Sequence, residues 1–450
     1  MASKISNAAH YMESRPLLVF FLPFLLYMSN GREISNGDSI PSAMTAIHLA
    51  AHGTIYLDHL KDFVDYKTIP YYASEQGGHV ISNYPLMPGI MAVPFFAPAY
   101  YAGMIREGEG DLVWRYVSKL SGAAFTALSV VFLFYAIRLL RSSAAAFVLS
   151  YSYGLGTALW PIASQSLWQH GPALFWITLS LYAMLRAFRL EEEGRTSSVL
   201  LWLMLGGAAI GFSVCCRSTN AIAAICLIAA SLWQWRWRGL AVCVPAALIV
   251  LALFASNYWL FGSFSGGYDE LYKLRGMLDG VEGGTWSTPL WEGLAGQLVS
   301  PSRGIFVFSP ILLFAVWGMI RVWRLDGSAW RFIALMSPAP ILLLMLFGKY
   351  AVWWGGSGHY GPRYQVETNP FLILFMAAAW EGYAHKKLWR GVFIVFLCWS
   401  IFVQAIGAFN FPSDWAVNPV KLSEDKGRLW SWSHNQIFSC LRSGIKMPFS

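Results

Sequence analysis

Asp38 stands in the run Ser35-Asn36-Gly37-Asp38-Ser39-Ile40-Pro41, a few residues beyond the first apolar stretch of the chain. A carboxylate placed there can act as a general base, taking the proton of an attacking hydroxyl. It can equally cap a helix, since Asp is a favoured N-cap and Pro41 suits a first helical turn. Fixed positive charge recurs later. Ser300-Pro301-Ser302-Arg303-Gly304 leads into an apolar run, and Lys349-Tyr350 precedes Trp353-Trp354-Gly355-Gly356-Ser357-Gly358-His359-Tyr360-Gly361-Pro362-Arg363-Tyr364. Arg grips phosphate in a bidentate fork, and glycines let backbone approach a ligand closely. Tyr and Trp faces stack on sugars or sit among lipid headgroups. The plainer reading of the same residues is an aromatic belt with snorkelling cations. His170, in Gln169-His170-Gly171-Pro172, can bond a hydroxyl or a phosphate, or be a satisfied interfacial histidine. Arg217, in Arg217-Ser218-Thr219-Asn220, lies between two apolar runs and calls for an internal carboxylate or a bound phosphate.

His48 and His52 are spaced i, i+4, as are Asp58 and Asp62, and His59 and Asp65 lie close by. Such a set can hold a divalent metal, although the solvated face of a surface helix explains it as well. Gly77-Gly78-His79 and Asn83-Tyr84-Pro85-Leu86-Met87-Pro88-Gly89 read as turn chemistry.

Composition dictates what must position these groups. Of 450 residues, 56% are hydrophobic and only 12% charged, with mean hydropathy +0.47. That is an integral membrane protein, against about 25% charged residues in soluble domains. The six cysteines (Cys215, Cys216, Cys226, Cys243, Cys398 and Cys440) form neither a disulfide framework nor a metal spacing. Apolar segments close to the length of a span fall at 16–29, 117–137, 143–160, 171–190, 198–216, 218–233, 240–260, 305–320, 332–347, 365–384 and 391–410. No small-residue cleavage site follows the first, which is read as a retained anchor. Arg138/Arg141, Arg186/Arg189/Arg195, Arg236/Arg238, Arg321/Arg324/Arg331 and Lys386/Lys387/Arg390 occupy alternate loops. The positive-inside rule then sets about eleven crossings with a cytoplasmic N-terminus. The net charge of +8 gathers in these loops, which argues against nucleic acid as a partner. The alternation holds if the proline-rich stretch 85–105 is a re-entrant or surface-lying hairpin. The loops 30–116, 160–171, 261–304 and 348–364 and the tail 411–450 fall on the outer face, and the transmembrane module is 1–410. The two long loops are expected to carry short helices and a function.

An early Asp38 in the first outer loop, the proline-rich Tyr84–Gly89 stretch and about eleven spans together resemble the GT-C superfamily of membrane glycosyltransferases. That group includes the protein O-mannosyltransferases and lipid A aminoarabinose transferases. The Ser300–Gly304 and Trp353–Tyr364 motifs look like those of bacterial members. The resemblance implies an all-α, GT-C-like bundle with short extracytoplasmic juxtamembrane helices, set in a bacterial inner membrane. It implies a polyprenyl-phosphate-linked sugar as donor and a glycan, lipid or protein hydroxyl as acceptor. Asp38 would be the base, Arg363 and Arg303 the donor-phosphate ligands, and Lys349 and Arg217 further cations. His170, His359, Tyr360, Tyr364, Trp354 and Tyr84 would line the substrate site. Two departures bear on metal dependence. Asp38 is followed by Ser39 where many members carry an Asp-Glu pair. The second outer loop offers Gln165, Gln169 and His170 where many have an acid. With one obvious acid, the expected outcome is inversion at the sugar carbon. The alternatives are a transporter or flippase of lipid-linked sugars, disfavoured by span centres almost free of acids, and an O-antigen-type ligase, disfavoured by a 261–304 loop without histidine.

Overall fold

The computed structural model describes residues 16–58, 70–105, 112–279 and 284–446, without the side chains of 274–279. Helices α1 (Pro16–Met28) and α2 (Ile40–His52) are followed by strands β1 (Ala73–Gln76) and β2 (His79–Ser82) and by α3 (Met87–Tyr101). Then come α4 (Leu112–Arg138), α5 (Ser143–Gly156), a π turn at Leu159–Ala163, α6 (His170–Glu192), α7 (Thr196–Cys216), α8 (Ala221–Trp235) and α9 (Leu240–Phe261). The remainder is α10 (Tyr268–Asp279), α11 (Leu290–Val299), α12 (Leu313–Arg321), α13 (Ser328–Leu335), α14 (Pro338–Lys349), α15 (Asn369–Ala384), α16 (Lys387–Asn410) and α17 (Gln436–Ser443).

Among the described residues, six stretches are long and apolar enough to cross a bilayer: Leu112–Arg138, His170–Glu192, Thr196–Cys216, Ser218–Phe261, Ser328–Lys349 and Lys387–Asn410. The longest folds in two at Arg236–Gly239, where Arg236 takes φ 51° and reverses the chain between α8 and α9. All eleven apolar segments marked in the sequence fall on helix. Four of them, α1, α5, α12 and α15, hold only 13, 14, 9 and 16 residues. They approach the ~20 residues of a span only with their flanking turns. α9 shows why length and apolarity decide. It is apolar all round, and of its residues only Val242 and Ala246 are buried by protein. It docks on α7 through Gly207 and Gly211, one helical turn apart, and a Cβ on Gly207 would strike the Val242 carbonyl. Trp233 and Trp237 at one end of the α8–α9 pair and Tyr258 and Trp259 at the other are exposed, as an aromatic belt at each interface requires.

The first long loop departs from an all-helical reading. β1 and β2 pair antiparallel, Ala73 opposite Ser82 and Gln76 opposite His79. Gly77 and Gly78, at φ 58° and 86°, make the two-residue turn that only such angles allow. The stretch 85–105 is not itself a hairpin. It holds one 15-residue helix, α3, that runs through Pro94 and Pro98 and packs along α2. The turn 160–171 is not a surface loop either. It is buried throughout, covered by the chain that follows α1, with Ile34 N donating to Gln165 O at 3.1 Å. The third loop carries α10 and α11, and the C-terminal tail folds back over the glycine-rich segment. These pieces meet on one end of the bundle. Thr288 N donates to Lys349 O at 3.3 Å, and Ser300 Oγ donates to Leu429 O at 2.7 Å.

Candidate active site

Asp38 is placed by a local turn. Asn36 Oδ1 accepts from the Asp38 amide at 2.8 Å, and Asn36 Nδ2 donates to Gly358 O at 3.1 Å, so one side chain ties the first loop to the glycine-rich segment. The N-cap of α2 is Ser39, and no side chain caps that helix. The Asp38 carboxylate is therefore not employed as a cap. It is buried, accepts the Tyr71 hydroxyl at 3.0 Å and the Tyr84 hydroxyl at 2.5 Å on Oδ1, and pairs through Oδ2 with Arg363 Nη2. Arg363 opens the 3-10 segment Arg363–Thr368, and its guanidinium lies over the Trp168 ring, 4.8 Å from the centroid. Trp168 is itself fixed by donation from Nε1 to Ile34 O at 3.2 Å.

A second buried ion pair stands beside the first. Arg217, in extended backbone at the end of α7, donates from Nε to Thr219 Oγ1 at 3.1 Å and lies 3.8 Å from Glu367 Oε2. His170 Nδ1 is 2.6 Å from Glu367 Oε1, and Arg217 Nη1 is 3.3 Å from His170 Nε2. Arg217 Nη1 is as close to His170 Nδ1, at 3.2 Å, so the guanidinium sits against the imidazole while Nδ1 faces the carboxylate. The internal carboxylate that Arg217 demanded is thus Glu367. The sequence does not single it out as a site residue. Its signal is an acid at the mouth of an apolar segment, where an unpaired charge is costly.

Arg217 and Arg363 both face a cavity of about 60 Å³, whose wall also includes Tyr84, Gln169, Thr219 and Tyr364. Both guanidinium groups lie over the Tyr364 ring, at 5.9 and 5.8 Å, and that ring stacks on Phe347 at 4.4 Å. A much larger apolar groove of about 1000 Å³ runs along α7, α8 and α9, lined by residues such as Val214, Ala224, Ile228, Ala246 and Leu253. Tyr84, Ser218, Tyr268 and Tyr272 border both. The groove therefore adjoins the cavity that the two arginines line.

Other expected site residues are employed elsewhere. Arg303 is buried and donates to Trp354 O at 2.8 Å, Ser302 O at 3.0 Å, Gly356 O at 3.1 Å and Gln436 Oε1. Four bonds inside the protein make it a clasp for the loop rather than a ligand for phosphate. Trp354 is buried beneath the tail, with Lys426 Nζ 5.1 Å from its ring centroid. The Tyr360 hydroxyl donates to Val403 O at 3.0 Å, and its ring packs edge-on against Phe308. Both serve packing. Lys349 is exposed at the end of α14 and does not line the cavity. His359 is buried against Gly355, and neither ring nitrogen has a hydrogen-bond partner among the described residues. Burial, with Arg303 and Arg363 nearby, holds its imidazole well below the usual histidine range.

The histidine–carboxylate set of the first loop is divided. His48 and His52 do share a face of α2, with ring centroids 5.4 Å apart. Asp58 is not helical. It pairs with His79 Nδ1 at 2.7 Å and accepts from Val80 N at 2.8 Å. His59, Asp62 and Asp65 lie outside the described residues. Among the described residues no group of three or more His, Cys, Asp or Glu gathers as a metal site.

No family model and no curated protein matches the sequence. Solved structures do match in fold. The archaeal oligosaccharyltransferase AglB from Archaeoglobus fulgidus, in complex with an inhibitory peptide and a dolichol-phosphate, aligns at TM-score 0.56 and 11% identity, over 88% of this chain and 56% of that one. The Archaeoglobus fulgidus oligosaccharyltransferase tethered to an acceptor peptide containing the NVT sequon aligns at 0.54 and 12% identity, over 97% and 60%. Its apo form aligns at 0.54 and 12%, over 98% and 62%. This chain therefore shares its fold with part of an oligosaccharyltransferase, spanning about three-fifths of those chains' length.

Proposed function

We propose that the chain is an integral membrane glycosyltransferase of the GT-C kind. It moves a sugar from a polyprenyl-phosphate donor to an acceptor hydroxyl on the extracytoplasmic face, with Asp38 as general base. The observation that carries this reading is the apolar groove along α7, α8 and α9, which adjoins the cavity lined by Arg217 and Arg363 beside the Asp38 carboxylate. A groove of that kind suits a polyprenyl tail, and paired guanidinium groups suit its phosphate. The shared fold supports the reading, since one oligosaccharyltransferase structure of that fold holds a dolichol-phosphate and a second holds an acceptor peptide. The acceptor is a glycan, lipid or protein hydroxyl, and the setting is a bacterial inner membrane with the N-terminus cytoplasmic.

In the proposed reaction the acceptor oxygen bonds to the anomeric carbon as the bond from that carbon to the phosphate oxygen breaks. The electron pair leaves on the polyprenyl phosphate, whose charge Arg217 and Arg363 stabilise. The acceptor's proton passes to Asp38, and the sugar carbon inverts. Tyr84 and Tyr71 orient the carboxylate. Glu367 and His170 position Arg217 rather than touching substrate. The test is transfer by the protein in nanodiscs supplied with a polyprenyl-phosphate sugar. Asp38→Asn is expected to lower the rate about 100- to 10,000-fold while donor binding persists. Unchanged transfer in that variant would remove Asp38 as the base. Retained configuration in the product would remove the single-displacement route. Movement of the donor across the bilayer without a new glycosidic bond would favour a flippase.

A further inference from the structure

Gln169 immediately precedes α6 and forms part of the cavity wall next to Arg217 and Arg363. It is 7% exposed. The Tyr268 hydroxyl sits 3.5 Å from its Oε1, at the far limit of a hydrogen bond. Its Nε2 makes no hydrogen bond with any described residue. Native proteins leave few buried donors unmet, and such a group marks a place where another acceptor belongs. Two features say what kind of acceptor. The N-terminus of a 23-residue helix begins at this point and carries partial positive charge. The neighbouring cations are the two arginines of the cavity, each facing a buried carboxylate, Glu367 and Asp38.

We propose that Gln169 is a third, neutral ligand of the phosphate held by Arg217 and Arg363, its Nε2–H donating to a phosphate oxygen at the start of α6. The proposal rests on the reading of this cavity as the donor-phosphate site. A neutral donor adds a directed hydrogen bond without adding charge. The ligand chemistry is a phosphate group, carried by a polyprenyl lipid rather than free in solution.

The test measures binding of decaprenyl phosphate to the protein in phosphatidylcholine nanodiscs, and of inorganic phosphate as a soluble competitor. Wild type is compared with Gln169→Met, which keeps the size and removes the donor, with the near-isosteric Gln169→Glu, and with Arg217→Ala. Wild type is expected to bind the lipid more tightly than inorganic phosphate. Gln169→Met should weaken both by roughly 10- to 100-fold, as for a hydrogen bond to a charged group. Gln169→Glu should weaken both further. Normal binding in both Gln169 variants with weakened binding in Arg217→Ala would overturn the assignment and leave the phosphate site standing. Normal binding in all three would overturn the phosphate site itself. Weakening of the lipid alone would place Gln169 on another part of the donor and overturn its role as a phosphate ligand. Equal wild-type affinity for the two probes would make the ligand free phosphate rather than a lipid headgroup. Equal thermal transitions across the set exclude unfolding as the cause.

Discussion

A carboxylate paired with a guanidinium is a weak base, and it takes a proton more readily once that cation is drawn away. In the proposed mechanism the donor phosphate draws Arg363 from Asp38, because it competes for the same guanidinium. Donor binding then precedes proton transfer. Arg363→Lys keeps the charge but loses the planar fork, so steady-state kinetics should show donor KM raised and kcat lowered together. His359 gives a separate prediction in pH. Its folded-state pKa lies well below 6.5, so on acidification the unfolded chain binds a proton that the folded one refuses. Its contribution to stability is complete above about pH 6.5 and declines as pH falls below that value. Thermal melts of wild type and His359→Gln should therefore diverge in slope between about pH 6.5 and 5, with the variant flatter. Residue types and local motifs make Asp38 and Arg363 legible in the sequence, but not their partners. Arg303 and Arg363 look alike as strings, each beside glycine and an apolar run. They are told apart by distant partners, since Trp354 O, Gly356 O and Gln436 occupy the first and Asp38 pairs with the second. The Glu367–His170–Arg217 set joins three distant segments, and no local pattern announces it.

At the level of elements, periodicity and apolarity make the helices readable because each helix closes its own hydrogen bonds. The β1–β2 hairpin is less readable. Gly77-Gly78 marks its turn, but four-residue strands give too short an alternation to stand out. The groove along α7, α8 and α9 supports a prediction of its own. Ala247 lines it and faces outward. Ala247→Trp would fill part of the groove, raising KM for a long-tailed donor several-fold while leaving inorganic phosphate binding unchanged. A donor titration in nanodiscs, with tails of two lengths, checks this. Equal KM values for wild type and variant would place the tail elsewhere.

Across the whole molecule, the tail acts as a strap. Gln436 accepts from Arg303 and from Gly361 N at 2.9 Å, and donates to His359 O at 2.9 Å, while Trp415 lies under the Arg303 guanidinium at 5.2 Å. Gln436→Ala leaves a buried guanidinium and a backbone amide short of their acceptor. It should cost about 1–3 kcal/mol of stability, read as a lower thermal midpoint with reduced transfer. Charge alternation sets the expectation that the loops and tail share a face, and the contacts of Asp38 with Arg363 and of Ser300 with Leu429 bring segments of them together. It does not foretell that the tail covers the loops, since that depends on side chains meeting across the full length of the chain. The groove opens on α9, whose outward residues Leu248, Leu251 and Trp259 are more than half exposed. In the proposed function a lipid-linked donor entering there arrives by diffusion in the plane of the bilayer. What the protein senses is then the donor's mole fraction among the surrounding lipids, not its amount per litre. Diluting the donor with inert phospholipid, at fixed bulk concentration, should slow transfer as though substrate had been withdrawn.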